Sequence, residues 1–205
     1  MARYTGPSCK ICRRNRVKLF LKGDRCHTAK CAIEKRNFPP GPKAIIPRKL
    51  SEYGRRLREK QKLRFHYGVS EKQIRGYFSR ALRQKGVTGY NLLGLFESRL
   101  DNVVFRTKLA ASRAEARQSV RHGHFLLNGK KANIPSILVR AGDVLQVAVS
   151  DAVWAAKFEK TKEKGLPAWL SFGSMPGQIQ VLQLPAREEI DAPVEEQLIV
   201  EFYSR

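Results

Sequence analysis

Beyond Cys31 the chain has no cysteine at all. The remaining residues therefore hold no disulfide and no thiolate metal site. Acidic residues are scarce, with 18 Asp and Glu against 40 Lys and Arg and a net charge of +22. A chain so unbalanced repels itself unless a polyanion neutralises it. No apolar run approaches the roughly 20 residues that a membrane helix needs, and no signal-like segment precedes the first cysteine. The sequence has no Gly-rich phosphate loop, no HExxH helix and no Ser/His/Asp set that closeness in sequence would justify. These absences argue against a membrane protein, a secreted disulfide scaffold and an enzyme, so neither a membrane to span nor a small-molecule substrate is expected. Nucleic acid is the leading partner, with an anionic membrane surface behind it.

The charge is uneven along the chain. Residues 1–90 hold 25 Lys and Arg against 5 Asp and Glu, whereas residues 91–205 hold 15 against 13. The stretch from Pro185 to Arg205 is acidic, through Glu188, Glu189, Asp191, Glu195, Glu196 and Glu201. Such a tail is ill placed on a polyanion. It either folds back on the basic half or meets a basic protein.

Residues 1–50 read as mostly irregular, broken by Gly6-Pro7, Gly23-Asp24, Pro39-Pro40-Gly41-Pro42 and Pro47. From Ser51 a highly charged helix is expected to about Tyr67, stopped at Gly68. Ser70 to Gln73 forms a capping box, with Ser at N-cap and Gln at N3. It opens a helix whose Ile74, Tyr77, Phe78, Ala81 and Leu82 make an apolar stripe. A further helix is expected over about 91–106. Ser112 to Glu115 is a second capping box, opening a helix to about His122. Phe125 to Ala132 reads as a hairpin about a type I′ Asn128-Gly129 turn. Strands at 143–149, 169–172 and 178–184 follow, with a helix from Asp151 to about Lys164 before the second of them. The terminal segment 195–203 is amphipathic, helix or strand. Phe20, Phe96, Phe105, Trp154 and Trp169 are assigned to core or domain anchors.

Four cysteines, Cys9, Cys12, Cys26 and Cys31, are spaced C-x₂-C-x₁₃-C-x₄-C. Two close pairs joined by a loop bring four thiolates together around one Zn²⁺. Lys10, Arg13, Arg14, Arg25 and Lys30 would offset the charge of such a site. With no open position it would be structural. An iron–sulfur cluster, two disulfides and unliganded cysteines are the alternatives, and His27 is a substitute ligand.

Basic patches make the nucleic-acid candidates. The arm contributes Arg3, Arg13, Arg14, Arg16, Lys18 and Lys22, followed by Lys43, Arg48 and Lys49. The charged helix adds Arg55, Arg56, Arg58, Lys60, Lys62 and Arg64, for which Glu52 and Glu59 are too few partners. Tyr53, Phe65 and Tyr67 either stack on bases or belong to the core. Further on, Arg99 and Arg106 join Arg113, Arg117 and Arg121, the last three spaced by four residues and so sharing a helix face. Asn128, Lys130 and Lys131 sit at the hairpin tip. His124, like His122, is either a phosphate donor or an ordinary turn residue. Arg117→Ala is expected to weaken binding without unfolding the chain.

These residues carry a resemblance. RLDNVVFRTKLAASRAEARQSVRHGHFLLNGKKANIPS resembles the small RNA-binding domain named after bacterial small-subunit ribosomal protein four. MARYTGPSCKICRR, LSEYGRRLREKQK, YGVSEKQIRGYF and EEQLIVEFYSR are similar to the rest of that family, in its zinc-bearing, four-cysteine form. The resemblance runs in order over essentially the whole chain. It implies an α+β fold: an N-terminal metal-knuckle arm (1–45), and a mainly helical domain (46–96) that the terminal segment 186–205 rejoins. An inserted small α/β RNA-binding domain (97–185) has two short helices packed on an antiparallel sheet. It also implies a cytoplasmic structural constituent of the ribosome, bound to the 5′ domain of small-subunit ribosomal RNA and nucleating assembly of the subunit body. Ribosomal protein five and messenger RNA, at the channel by which it enters, are the implied neighbours. Lys43, Arg48 and Lys49 match the segment near that channel, where the family influences decoding accuracy. Two other readings are an RNA-modifying enzyme with this domain as an appendage and a zinc-finger DNA regulator. The first needs a catalytic domain for which no part of the chain remains. The second needs a histidine pair at finger spacing.

Overall fold

The structure, a computed structural model, describes residues 4–41, 50–147 and 152–204. It divides into two compact units, Met1–Leu93 with Asp191–Arg205, and Gly94–Ile190. Arg3, Lys43, Arg48, Lys49 and the expected cap Asp151 lie outside the described residues.

The first unit is helical. Helix α1 spans Ser8–Asn15, a 3₁₀ turn spans Gly23–His27, and α2 spans Ala32–Lys35. The arm is thus more regular than the density of Gly and Pro implies. Pro7 stands at the N-cap of α1, where its fixed φ of −68° fits and its missing N–H costs nothing. Arg16 ends the helix in the left-handed region at φ 55°. Ile11, Cys12 and Leu19 then form a small core with Val17, Leu21, Ile33 and Phe65 against it. Phe20 is half-buried and stacks on His27 at 4.9 Å, outside that core, contrary to its assignment.

Helix α3 (Glu52–His66) starts at Ser51, whose hydroxyl accepts from the Gly54 N–H at 3.2 Å. Helix α4 (Glu71–Leu82) has the expected capping box. The Ser70 hydroxyl accepts from the Gln73 N–H, and the Gln73 side chain accepts from the Ser70 N–H. Its stripe buries Ile74, Tyr77, Phe78 and Ala81, while Leu82 stays exposed. Helix α5 is Thr88–Glu97 and α6 is Leu100–Arg106. One helix over 91–106 is therefore wrong. The break falls where Ser98 to Asp101 pair with the segment at 135–139. The Val139 N–H donates to Ser98, and the Leu100 N–H donates to Ile137 at 2.8 Å. Those bonds need extended backbone at Arg99, and no period of apolar residues announces them.

The acidic terminal segment is α9 (Glu196–Tyr203) and packs on α3. Arg56 donates to Glu201 at 2.7 Å, the Lys60 ammonium stands over the Phe202 ring, and Tyr53 packs beside that ring. The Tyr203 hydroxyl donates to Glu71 at 2.7 Å, and its ring lies tilted against Phe78 at 5.0 Å. The tail therefore folds back on the basic half. Burial works to raise the Glu71 carboxyl, but the Tyr203 hydroxyl and Lys60 together hold it below its ordinary value near 4.5. A depressed carboxyl contributes stability that is complete above its unfolded value and lost as pH falls through the folded one. Loosening of α9 is therefore expected below about pH 4.5, followed through its amide NMR signals. Glu71→Gln should remove the pH dependence. A wild-type response that persists in Glu71→Gln rules this group out.

The second unit is α/β. Helix α7 (Arg113–His122) packs on α6. Ser112 caps it by accepting from the Glu115 N–H, and Glu115 reaches back to the Ala111 N–H, one residue beyond the expected box. Strands β1 (Phe125–Leu127), β2 (Lys130–Lys131), β3 (Val144–Val147), β4 (Leu170–Phe172) and β5 (Gln178–Val181) form one antiparallel sheet in the order β2-β1-β3-β5-β4. The hairpin turn has φ 52° at Asn128 and 76° at Gly129, as type I′ requires. Helix α8 (Ala152–Lys164) links β3 to β4. Trp154, Phe158 and Trp169 lie in one core with Val103, Val120, Phe125 and Ile179. Among the described residues no helix is long and apolar enough to cross a membrane.

Candidate RNA-binding surface and cysteine cluster

The arm brings all four cysteines to one place. Cys9 and Cys12 are one helical turn apart on α1, Cys26 is in the 3₁₀ turn, and Cys31 is the N-cap of α2. All four line one cavity of about 20 Å³, and none forms a disulfide. The Lys22 N–H donates to the Cys26 sulfur at 3.4 Å. Burial pushes the Cys12 thiol up, the Leu19 N–H opposes this, and the thiols of Cys26, Cys9 and Cys31 push it further up. As they stand, no three His, Cys, Asp or Glu groups among the described residues are close enough to ligate a metal ion. The four thiols thus share one cavity without standing at ligating distance. The donor set, four soft sulfurs around room for one ion, fits a tetrahedral metal. His27 is turned to Phe20 instead.

The basic residues divide into a covered set and an exposed set. Arg99 corrects the expectation most sharply. Its side chain is 0% exposed and makes a two-pronged pair with Asp101, at 3.0 and 2.8 Å. It is not part of the surface. Glu97 is equally enclosed, at 1% exposure. It accepts from Arg106 at 2.8 and 2.9 Å and from the Asn102 amide at 2.6 Å. Arg113 lies 3.9 Å from Glu97, donates to Asn102 and stacks on Phe105. Arg117 donates to Asp101 at 2.9 Å. These last two side chains are 12% and 22% exposed. The shared face of α7 is thus largely an internal ion network, and Arg121 is its exposed member. The four-residue spacing was legible, but the carboxylates that would face it were not.

The same division holds on α3. Lys60 is buried against Glu71 at 3.0 Å. Arg56 serves Glu201, and Lys62 serves Glu59. Arg55 is exposed, while Arg58 and Arg64 are half-buried. In the arm, Arg14, Arg16 and Lys22 are exposed. Arg13 donates to the Phe38 and Pro39 carbonyls, and Lys18 pairs with Glu34. At the hairpin, Lys130 and Lys131 are exposed. Asn128 has both ends of its amide engaged, donating to Asp143 and accepting from the Val144 N–H, each at 2.8 Å. His124 lies tilted against Trp154 at 5.3 Å and is half-buried. Of the aromatic residues in question, Tyr67 belongs to the core, Tyr53 packs on α9, and Phe65 meets Tyr4 edge-on.

The sequence reading missed the outer face of α4, where Lys72, Arg75, Arg80 and Arg83 are exposed. A count of cations opposite the apolar stripe would have found it.

Comparison with known proteins identifies the family. Residues 3–97 match the family described as Ribosomal protein S4/S9 N-terminal domain, and residues 98–145 match the S4 domain. Over the full length of both chains, the protein is 55% identical to the small ribosomal subunit protein uS4 of Geotalea uraniireducens. It is 55% identical to those of Desulforamulus reducens and Geobacter sulfurreducens, again over the full lengths. With both family domains in order and identity at this level from end to end, the chain belongs to the bacterial uS4 family.

Proposed function

We propose that this protein is a structural, RNA-binding constituent of the small ribosomal subunit in the cytoplasm, and not an enzyme. The full-length match to uS4 proteins carries this reading. It binds the 5′ domain of small-subunit ribosomal RNA, nucleates assembly of the subunit body and contributes to accuracy near the channel by which messenger RNA enters. Ribosomal protein five and messenger RNA are its further partners. Lys and Arg displace condensed counterions along the RNA backbone, and the shape of a helix junction supplies specificity. The exposed cations Arg14, Arg16, Lys22, Arg55, Arg121, Lys130 and Lys131 are the foremost contacts. Arg113 and Arg117 act through what they expose and by holding α7 against α6. The test is binding to a 5′-domain RNA fragment with tRNA and duplex DNA as competitors. Tight binding that survives both supports the reading, and equal binding to all three sinks it.

Cys9, Cys12, Cys26 and Cys31 are proposed as ligands of a structural Zn²⁺, with an iron–sulfur cluster as the alternative. A bound dication would hold the four sulfurs as thiolates and tie α1, the 3₁₀ turn and α2 together. The Lys22 and Leu19 N–H groups orient two of those sulfurs. Chelation is expected to raise hydrogen exchange in the first ~45 residues only, because a structural site organises its own loop. Melting of the whole chain on chelation would contradict this. Metal analysis separates zinc from iron.

A further inference from the structure

Helix α4 presents a face that the fold does not use. Ile74, Tyr77, Phe78 and Ala81 are buried on one side. At 100° per residue, Lys72, Arg75, Gly76, Ser79, Arg80 and Arg83 fall within an arc of about 140° on the other. All six are exposed. The four cations span about 16 Å along the axis. Glu71, the single acid of α4, turns to Lys60 and Tyr203. Among the described residues the ion pair on this face is Arg75 with Glu71, loose at 3.9 Å with Arg75 73% exposed. A solvated helix face ordinarily interleaves charges of both signs.

The middle of the arc is low. Gly76 and Ser79 lie between the cations, and the Ser79 hydroxyl is turned back to the Arg75 carbonyl. A Cβ added at Gly76 would meet nothing within 4 Å. Packing therefore does not explain a glycine inside this helix, where it weakens the helix relative to alanine. A glycine on an exposed face lets another backbone approach closely.

We infer that the outer face of α4 is a second RNA-backbone track of the first unit, with Lys72, Arg75, Arg80 and Arg83 on phosphates and a sugar–phosphate segment crossing above Gly76. This rests on the ribosomal RNA reading and extends it to a further helix of the first unit. Point charges spread along one helix face, with no side-chain amide among them, suit phosphates and not base edges, so this face supplies affinity and register without sequence readout.

The experiment uses the full-length protein and the 5′-domain RNA fragment. Lys72, Arg75, Arg80 and Arg83 are all changed to Gln, with circular dichroism as the check on folding. The plot of log affinity against log salt is expected to become shallower by about 3. A slope and affinity equal to wild type overturn the inference. Gly76→Ala guards against a folding artefact, since it strengthens the helix. Its melting temperature should rise by about 2–4 °C, while its affinity falls and its salt slope stays unchanged. Affinity at or above wild type in Gly76→Ala contradicts the close approach. Each variant is compared with wild type on one RNA. The ribosomal reading stands or falls separately, on the wild-type protein's preference for that RNA over tRNA and duplex DNA.

Discussion

Asp101→Ala is expected to destabilise the second unit by about 3–5 kcal/mol, because it leaves a fully buried guanidinium without its carboxylate. Arg99 is 0% exposed and held by both Asp101 oxygens. Arg117 loses its 2.9 Å bond to Asp101 in the same step. A small domain is stable by only about 5–15 kcal/mol, so the loss is a large share of the total. Both tryptophans of the chain, Trp154 and Trp169, lie in the core of this unit. Tryptophan fluorescence in a denaturant series therefore reports this unit alone. The midpoint should fall at unchanged slope. Replacing the pair together, with Asp101→Leu and Arg99→Met, should recover much of the loss, since what costs is the uncompensated charge and not the absence of a salt bridge. A midpoint for Asp101→Ala equal to wild type would show that water or another group already compensates Arg99. The same network changes the expectation for Arg117→Ala. That variant should lose some stability as well as RNA affinity, and the two readouts must be separated.

Affinity for 5′-domain RNA is expected to fall by about 10³–10⁵ between 50 and 200 mM salt. That is the loss characteristic of roughly 6–10 phosphate contacts. Arg14, Arg16, Lys22, Arg55, Arg121, Lys130 and Lys131 are exposed in the described structure and available for such contacts. The covered cations are not. Arg99, Lys60 and Arg56 face Asp101, Glu71 and Glu201, so substituting them should alter stability before it alters the salt slope. A filter-binding series over that salt range gives the slope directly. A drop of less than tenfold would mean that few phosphates are contacted, and that the net charge of +22 serves something other than RNA.

Much of the fold was legible because it is locally encoded. The Ser70 and Ser112 caps, the Asn128-Gly129 turn and the apolar stripe of α4 all depend on residues within four positions of one another. The return of the acidic tail to the basic half was half legible. Charge imposed it as one of two outcomes, and the packing of Tyr53, Lys60 and Phe202 selected between them. The break between α5 and α6 was hidden, because backbone bonds to residues 135–139 leave no mark on the periodicity of 91–106.

By itself the sequence determined composition-level facts: the excess of cations, the four thiols and their spacing, and the places where helices and turns begin. These are properties of single residues and near neighbours. Only the tertiary structure decided which cations reach solvent. Glu97 and Asp101 look like ordinary surface acids in the chain. In the folded unit they are enclosed, and Arg99, Arg106, Arg113 and Arg117 are drawn in around them. A buried carboxylate must be paired, and which arginine pairs with it depends on which helices the fold brings together.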